Sequence, residues 1–92
     1  MNFYVISYDI PDDKRRKKIA DILENHASRV QYSVFEANLN EDEMQQVQEE
    51  LRRVANLEED NLRFYRLCQN CLDTTEVWGN TKITVDPDYY LV

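Results

Sequence analysis

The spacing of hydrophobic residues changes within the first third of the chain, where a predicted strand is followed by a predicted helix. Asn2–Asp9 (NFYVISYD) is rich in aromatic and β-branched residues and predicts a strand. Pro11 cannot continue a central strand, and the neighbouring aspartates favour a turn. Apolar residues then recur at three- and four-residue spacing, which predicts a helix from about Asp13 to His26, with Asp12 or Asp13 as its N-cap. The predicted buried stripe of this helix comprises Ile19, Ile22, Leu23 and His26.

The rest of the chain gives a second set of elements. Arg29–Leu39 is extended by composition, and its lack of a turn dipeptide leaves open whether it forms one bent strand or two short strands. Asn40–Glu43 resembles a capping box and starts a second helix. Asn61–Cys68 predicts a further strand, and Thr81–Val85 predicts a last one. The apolar stripe of the second helix is Met44, Val47, Leu51 and Val54, with Leu57 near its end.

The order of these elements indicates the fold class. Two helices on one face of a mainly antiparallel sheet form an α+β, ferredoxin-like arrangement, β-α-β-β-α-β, here with an extra C-terminal strand. One Gly and two Pro leave almost no linker material, so residues 1–92 are expected to form a single domain. The fold supports many functions, and the function must therefore be argued from individual residues.

The first strand carries apolar side chains on both of its faces. Ile6 and Tyr8 lie on one face, and Phe3 and Val5 lie on the other. The helices can cover only one of these faces, so a second copy of the chain in a two-fold homodimer is expected to cover the other. Residues 80–92, with the apolar end Tyr89–Val92, are expected to lie at the dimer interface or against a partner.

The net charge of −7 is distributed unevenly. A general nucleic-acid binder is normally basic, but residues 1–36 hold six basic and six acidic side chains, and all the net negative charge lies in residues 37–92. Five consecutive cations, Lys14–Lys18, start the first helix, where the helix dipole disfavours them. They form either a solvated charged face or a surface that contacts phosphates without reading bases. Helical spacing directs the three lysines to solvent and Arg16 toward the turn after Asp9.

Asp9, at the carboxyl end of the first strand, is the candidate for chemistry. In most proteins such an aspartate caps a turn, and a lone carboxylate is a poor metal site. In a two-fold dimer, however, two copies of Asp9 could converge, and Mg²⁺ is satisfied by one or two carboxylates, waters and a phosphate oxygen. An ion held there would polarise the phosphate and acidify an attacking water.

Three further features limit the interpretation. Cys68 and Cys71 form a single C-x-x-C without a second pair, and they are expected to be ordinary reduced thiols, because zinc requires four ligands. The aromatic side chains of Tyr8, Tyr32 and Phe35 could stack on bases, although strand aromatics more often belong to a core. The chain lacks an apolar run long enough for a membrane span and lacks a signal segment, so we expect a cytoplasmic protein.

Two segments, with a basic helix start between them, resemble the CRISPR-associated Cas2 family. They are Tyr4–Ile10 (YVISYDI) and Arg29–Glu36 (RVQYSVFE). The resemblance implies a homodimer with Asp9 at the cleft between protomers, where Asp9 is the catalytic residue and binds Mg²⁺, with Mn²⁺ as the alternative ion. It implies Tyr8, Ser33 and Phe35 as supporting residues. The expected nucleic-acid contacts are Lys14, Arg15, Arg16, Lys17, Lys18 and Arg29.

The resemblance implies two activities of different classes. One is metal-dependent endonuclease action on RNA or DNA. The other is a structural role, in which the dimer joins copies of the CRISPR integrase and holds spacer DNA. A third possibility is a toxin-like ribonuclease relative with the same fold and the same aspartate. The sequence offers no His or Lys of evident general-base character, which favours weak catalysis.

Overall fold

The computed structural model describes residues 1–79, which form a four-stranded antiparallel sheet with two long helices packed on one face. The strand order is β2-β3-β1-β4, which confirms the predicted ferredoxin-like α+β fold. The predicted strand Thr81–Val85 and the tail Tyr89–Val92 lie outside the described residues. The elements are β1 (Asn2–Asp9), α1 (Asp13–Glu24), β2 (Ser28–Gln31), β3 (Val34–Leu39), α2 (Glu41–Val54), β4 (Asn61–Leu67) and α3 (Gln69–Asp73).

The register of β1 builds the core and positions its carboxyl end. Ile6 lies opposite Phe35 of β3 and opposite Phe64 of β4, so the three side chains share the face that the helices cover. Ile6 and Phe35 are completely buried there. Three residues further along β1, Asp9 lies opposite Asn61, the first residue of β4. The same pairing that forms the core therefore fixes the backbone of Asp9 beside β4.

Helix α1 begins where the sequence indicates and ends earlier. Asp12 is the N-cap, and its carboxylate accepts a hydrogen bond from the Arg15 backbone N–H at 2.8 Å. Ile19 and Leu23 are completely buried, as predicted. The helix ends at Glu24, two residues before the predicted end at His26, whose half-buried ring lies 3.0 Å from a carboxylate oxygen of Glu50 on α2.

Helix α2 has the predicted capping box. The Asn40 side chain accepts from the Glu43 backbone N–H, and the Glu43 carboxylate accepts from the Asn40 backbone N–H. The extension of the apolar stripe to Leu57 was wrong. The helix ends at Val54, so Leu57 lies in the following loop with 67% of its surface exposed.

The extended segment after α1 forms two strands rather than one. Tyr32 and Ser33 make the turn between β2 and β3, and both are tied to β1. The Tyr8 hydroxyl donates to the Tyr32 carbonyl, and the Tyr8 backbone N–H donates to the Ser33 carbonyl, each at 3.1 Å. Short helix α3 follows β4 directly and has no counterpart in the sequence prediction. Across residues 1–79, every helix is too short or too polar to cross a bilayer.

Candidate nucleic-acid and metal site

Asp9 is an exposed carboxylate held on a rigid strand. Its backbone pairs with β4, while its side chain makes neither a hydrogen bond nor an ion pair with any other residue of the described part, 1–79. On the β4 side its neighbours in a shallow depression include Ser7, Asn61 and Arg63. The strand thus presents an exposed carboxylate at a defined position, which is what an ion or a phosphate-bound water requires.

A wider groove lies on the other side of Asp9, toward α1 and the β2–β3 turn. Its wall includes Arg16 and Lys17 from α1 and Arg29 and Tyr32 from the β2 region. Tyr32 is 95% exposed, so its ring is available to solvent. The groove also contains acidic side chains of α1, namely Asp13, Asp21 and Glu24. The cations therefore surround Asp9 without making this groove uniformly positive.

The supporting residue Tyr8 belongs to the core. Its ring is 6.2 Å from that of Phe35 between centroids, in a stacked arrangement, and both residues are buried. The Arg29 guanidinium lies 5.2 Å from the centroid of the Phe35 ring, and its Nη2 is 3.4 Å from the Tyr8 hydroxyl. Tyr8 and Phe35 are thus unavailable for base stacking. They fix the β2–β3 turn, with Ser33 in it, beside Asp9.

The cations at the start of α1 divide into exposed lysines and engaged arginines. Lys14, Lys17 and Lys18 are exposed, as predicted, and Lys17 Nζ lies 3.3 Å from Asp21 on the same helix. Arg16 donates to the Ile10 carbonyl at 3.0 Å and pairs with Asp13. This contact confirms that Arg16 reaches the turn after Asp9.

Arg15 has a structural role that the sequence did not indicate. Its Nε and Nη2 atoms donate to the two Asp60 oxygens at 3.0 and 3.1 Å, and Nη2 also reaches Glu59 at 2.9 Å. These hydrogen bonds raise the pKa of Arg15 and hold the pKa of Asp60 below its ordinary value. Arg15 therefore ties α1 to the loop before β4. Its contact with nucleic acid stays a prediction, and that contact would compete with two carboxylates.

The donor set around Asp9 fits Mg²⁺ only as part of a larger assembly. Residues 1–79 contain no group of three or more His, Cys, Asp or Glu side chains that could together hold a metal ion. Asp9 alone supplies one carboxylate, which suits an ion that keeps several waters and takes the rest of its ligands from phosphate or from a second carboxylate. A second copy of Asp9 would supply the latter.

Sequence reasoning missed two residues near Asp9, Asn61 and Arg63. Both lie on β4 and face the same side of the sheet as Asp9, with Arg63 opposite Ser7. The sequence placed them on a strand but contained no signal for the register of that strand against β1. Only the pairing brings Arg63 to the side of Asp9 away from the α1 cations, where its guanidinium donates to the Tyr65 hydroxyl at 3.3 Å.

These features define a ferredoxin-like α+β domain with a solvent-facing carboxylate at the end of its first strand and a basic helix start beside it. The family model described as CRISPR associated protein Cas2 matches residues 1–75. A relative from Synechocystis, named CRISPR-associated endoribonuclease Cas2 3, is 48% identical over 92 residues, the whole of both chains. The chain belongs to the CRISPR-associated Cas2 family.

Solved structures agree with this assignment. A crystal structure of a hypothetical protein from Thermus thermophilus matches with a TM-score of 0.78 and 38% identity, over 89% of this chain and 95% of that one. A chain in a structure titled as a partial Cas6-RT-Cas1–Cas2 complex matches with a TM-score of 0.75 and 33% identity, over 84% of this chain and 90% of that one.

Proposed function

We propose that this chain acts in CRISPR adaptation as a homodimeric, Mg²⁺-dependent endonuclease that cleaves phosphodiester bonds in RNA or DNA. The observation that carries the proposal is Asp9, an exposed carboxylate without a bonding partner in the described part, fixed at the end of β1 beside exposed cations. The relative named an endoribonuclease supports the reaction class. Mn²⁺ is expected to replace Mg²⁺, because it accepts the same oxygen ligands.

Each group of residues has a distinct task in this proposal. Two copies of Asp9, one from each protomer, would hold the ion, which would polarise the phosphate and lower the pKa of the attacking water. Arg16 and Lys17 lie on the groove side of Asp9, where they pair with acidic side chains of α1, and Arg63 lies on its β4 side. A phosphate at Asp9 would therefore have cations on both sides, and on the groove side it would compete with these carboxylates. Tyr8 holds the turn that borders the groove and does not itself meet substrate.

The test of the catalytic assignment is Asp9→Asn, which keeps the size of the side chain and removes the charge that holds the ion. Cleavage in Mg²⁺ should fall on the order of 100-fold or more if the metal supplies most of the charge stabilisation. Asp42→Asn on α2 is the matched control, since it removes an equally exposed carboxylate far along the chain from β1. A folded Asp9→Asn protein that cleaves at the parental rate would overturn the assignment.

A second candidate function is a structural bridge that joins copies of the CRISPR integrase and holds spacer DNA. Two observations favour it. Among the described residues, the depression on the β4 side of Asp9 has no histidine or lysine in its lining that could act as a general base beside Asp9. A structural relative occurs in a complex with Cas1. The Asp9→Asn protein should then still co-elute with the integrase. Cleavage of RNA without integrase binding would instead favour a toxin-like ribonuclease.

A further inference from the structure

The two cysteines form a close, exposed pair at a junction in the fold. Cys68 follows β4 and is the N-cap residue of α3, and Cys71 lies one helical turn later. Their sulfur atoms are 3.3 Å apart, and both thiols are exposed. A disulfide needs about 2.05 Å between sulfurs, so a small side-chain rotation would bring the pair to bonding distance.

The surroundings make the two thiols unequal. The backbone N–H of Cys71, followed by its thiol, stabilises the Cys68 thiolate and lowers the pKa of Cys68. The same contact between the sulfurs raises the pKa of Cys71. The backbone around Cys71 is itself fixed, because its carbonyl accepts from the Thr75 hydroxyl at 2.7 Å and from the Thr74 hydroxyl at 3.2 Å. Cys68 is thus arranged to attack an external disulfide, and Cys71 is arranged to resolve the mixed disulfide that forms on Cys68.

We infer that Cys68 and Cys71 form a redox-active dithiol that exchanges with low-molecular-weight disulfides such as oxidised glutathione. The Cys68 thiolate attacks one sulfur of the glutathione disulfide, which forms a mixed disulfide and releases one glutathione thiolate. The Cys71 thiolate then attacks the Cys68 sulfur and releases the second glutathione. The two protons of the protein thiols pass to the released glutathiones. One dithiol and one disulfide thereby become one intramolecular disulfide and two thiols.

The position of the pair gives the exchange a structural consequence. Cys68 directly follows Leu67, which pairs with Phe3 of β1 at the end of the sheet. Helix α3 has no buried residue, so packing contributes little to holding its first turn. A disulfide would close that turn covalently and fix the direction in which the chain leaves β4. This inference is independent of Asp9 and of the proposed nuclease activity.

The experiment equilibrates the reduced full-length protein with oxidised and reduced glutathione, quenches with iodoacetamide and measures the intact mass. The effective concentration of one group beside another over a short linker is on the order of millimolar, so at about 0.1 mM glutathione the intramolecular disulfide should exceed the mixed disulfide by about tenfold. Cys71→Ser should accumulate glutathione on Cys68, because the resolving thiol is absent. In the parent, Cys68 should be alkylated faster than Cys71, and denaturing urea should abolish the difference.

Three outcomes would overturn the inference. The parent could accumulate mixed disulfides or disulfide-linked dimers without the intramolecular bond. The two thiols could be alkylated at equal rates in the folded protein. Alternatively, the purified chain could carry bound zinc and resist alkylation until a chelator is added, which would identify a shared metal site instead of a redox pair. Cys68→Ser provides the matched control, since Cys71 alone should acquire glutathione more slowly than Cys68 does in Cys71→Ser.

Discussion

Asp60 is the one charged residue that is buried within the described part of the chain, with 4% of its surface exposed. Its carboxylate accepts from Arg15 at both oxygens and from the Asn56 backbone N–H at 2.9 Å. No buried side-chain polar atom among the described residues lacks a hydrogen-bond partner. A buried carboxylate that is satisfied in this way holds its surroundings in place, because removal of a partner leaves polar groups unpaired.

Asp60→Asn is therefore expected to lower the melting temperature by several degrees. The asparagine keeps one acceptor, but its NH₂ group would meet a donor of Arg15 and leave that donor unpaired. Asp21→Asn is the control, since Asp21 pairs with Lys17 on the exposed surface, where ion pairs contribute little. Circular dichroism melts compare the two variants. Equal melting temperatures would show that the Arg15–Asp60 pair is not structurally important.

The same pair predicts how stability depends on pH. The folded state lowers the pKa of Asp60, so it binds fewer protons than the unfolded chain in the acid range. The stabilisation is complete above the ordinary aspartate pKa of about 3.9 and is lost as the pH falls through the lowered folded-state value. Urea unfolding below about pH 4 should therefore show a steeper loss of stability in the parent than in Asp60→Asn. Parallel pH profiles would contradict this prediction.

Individual residues differ in how far the sequence could predict them. The position of Asp9 at the end of β1 was predictable, because the end of a clear strand is a local property of the sequence. Arg15 was not, since its partners Glu59 and Asp60 lie more than forty positions away, and helical spacing alone did not reveal them. The same limit applies to Arg63, whose relation to Asp9 depends on strand register.

Among the elements, those with strong local signals were predicted well. The capping box at Asn40 and the apolar period of α1 both depend on residues within one or two turns. The incorrect predictions concern the ends and the existence of helices that depend on tertiary structure. Leu57 continued the helical period, but the chain leaves the helix at Val54 to reach β4, and α3 is a single short turn with little periodicity of its own.

The start of α1 gives a prediction at the scale of an element. Arg15 and Arg16 are engaged by buried or partly buried groups of the protein, whereas Lys14 and Lys18 are exposed and Lys17 makes only an exposed pair with Asp21. The three lysines are therefore the better test of phosphate contact. Replacement of all three by Gln should flatten the plot of log K against log salt for duplex DNA. The change could reach about five units per dimer if all six lysines contact phosphate, at about 0.9 units each. Affinity should fall equally on any sequence, because backbone contacts carry no base information.

Arg52→Gln with Arg53→Gln is the matched control for the lysine variant. These arginines are equally exposed but lie in the last turn of α2, in the acidic part of the chain. Replacement of these two arginines should leave the slope of log K against log salt almost unchanged. Titrations with and without the integrase separate weak binding of the dimer alone from binding in the assembly. An unaltered slope in the lysine variant in both settings would mean that the basic run is only a solvated face of the helix.

At the scale of the whole molecule, the sheet face away from the helices predicts a homodimer. Val5, Val34 and Tyr65 lie on that face, and Tyr65 is 49% exposed. A stable interface buries about 800 Å² per partner. Light scattering should give about twice the chain mass of 11.1 kDa. Val34→Glu should shift the protein toward the monomer, because it places a charge in the interface, whereas Leu57→Glu in the loop after α2 should not. A monomeric parent protein would refute the dimer and with it the pairing of two Asp9 carboxylates.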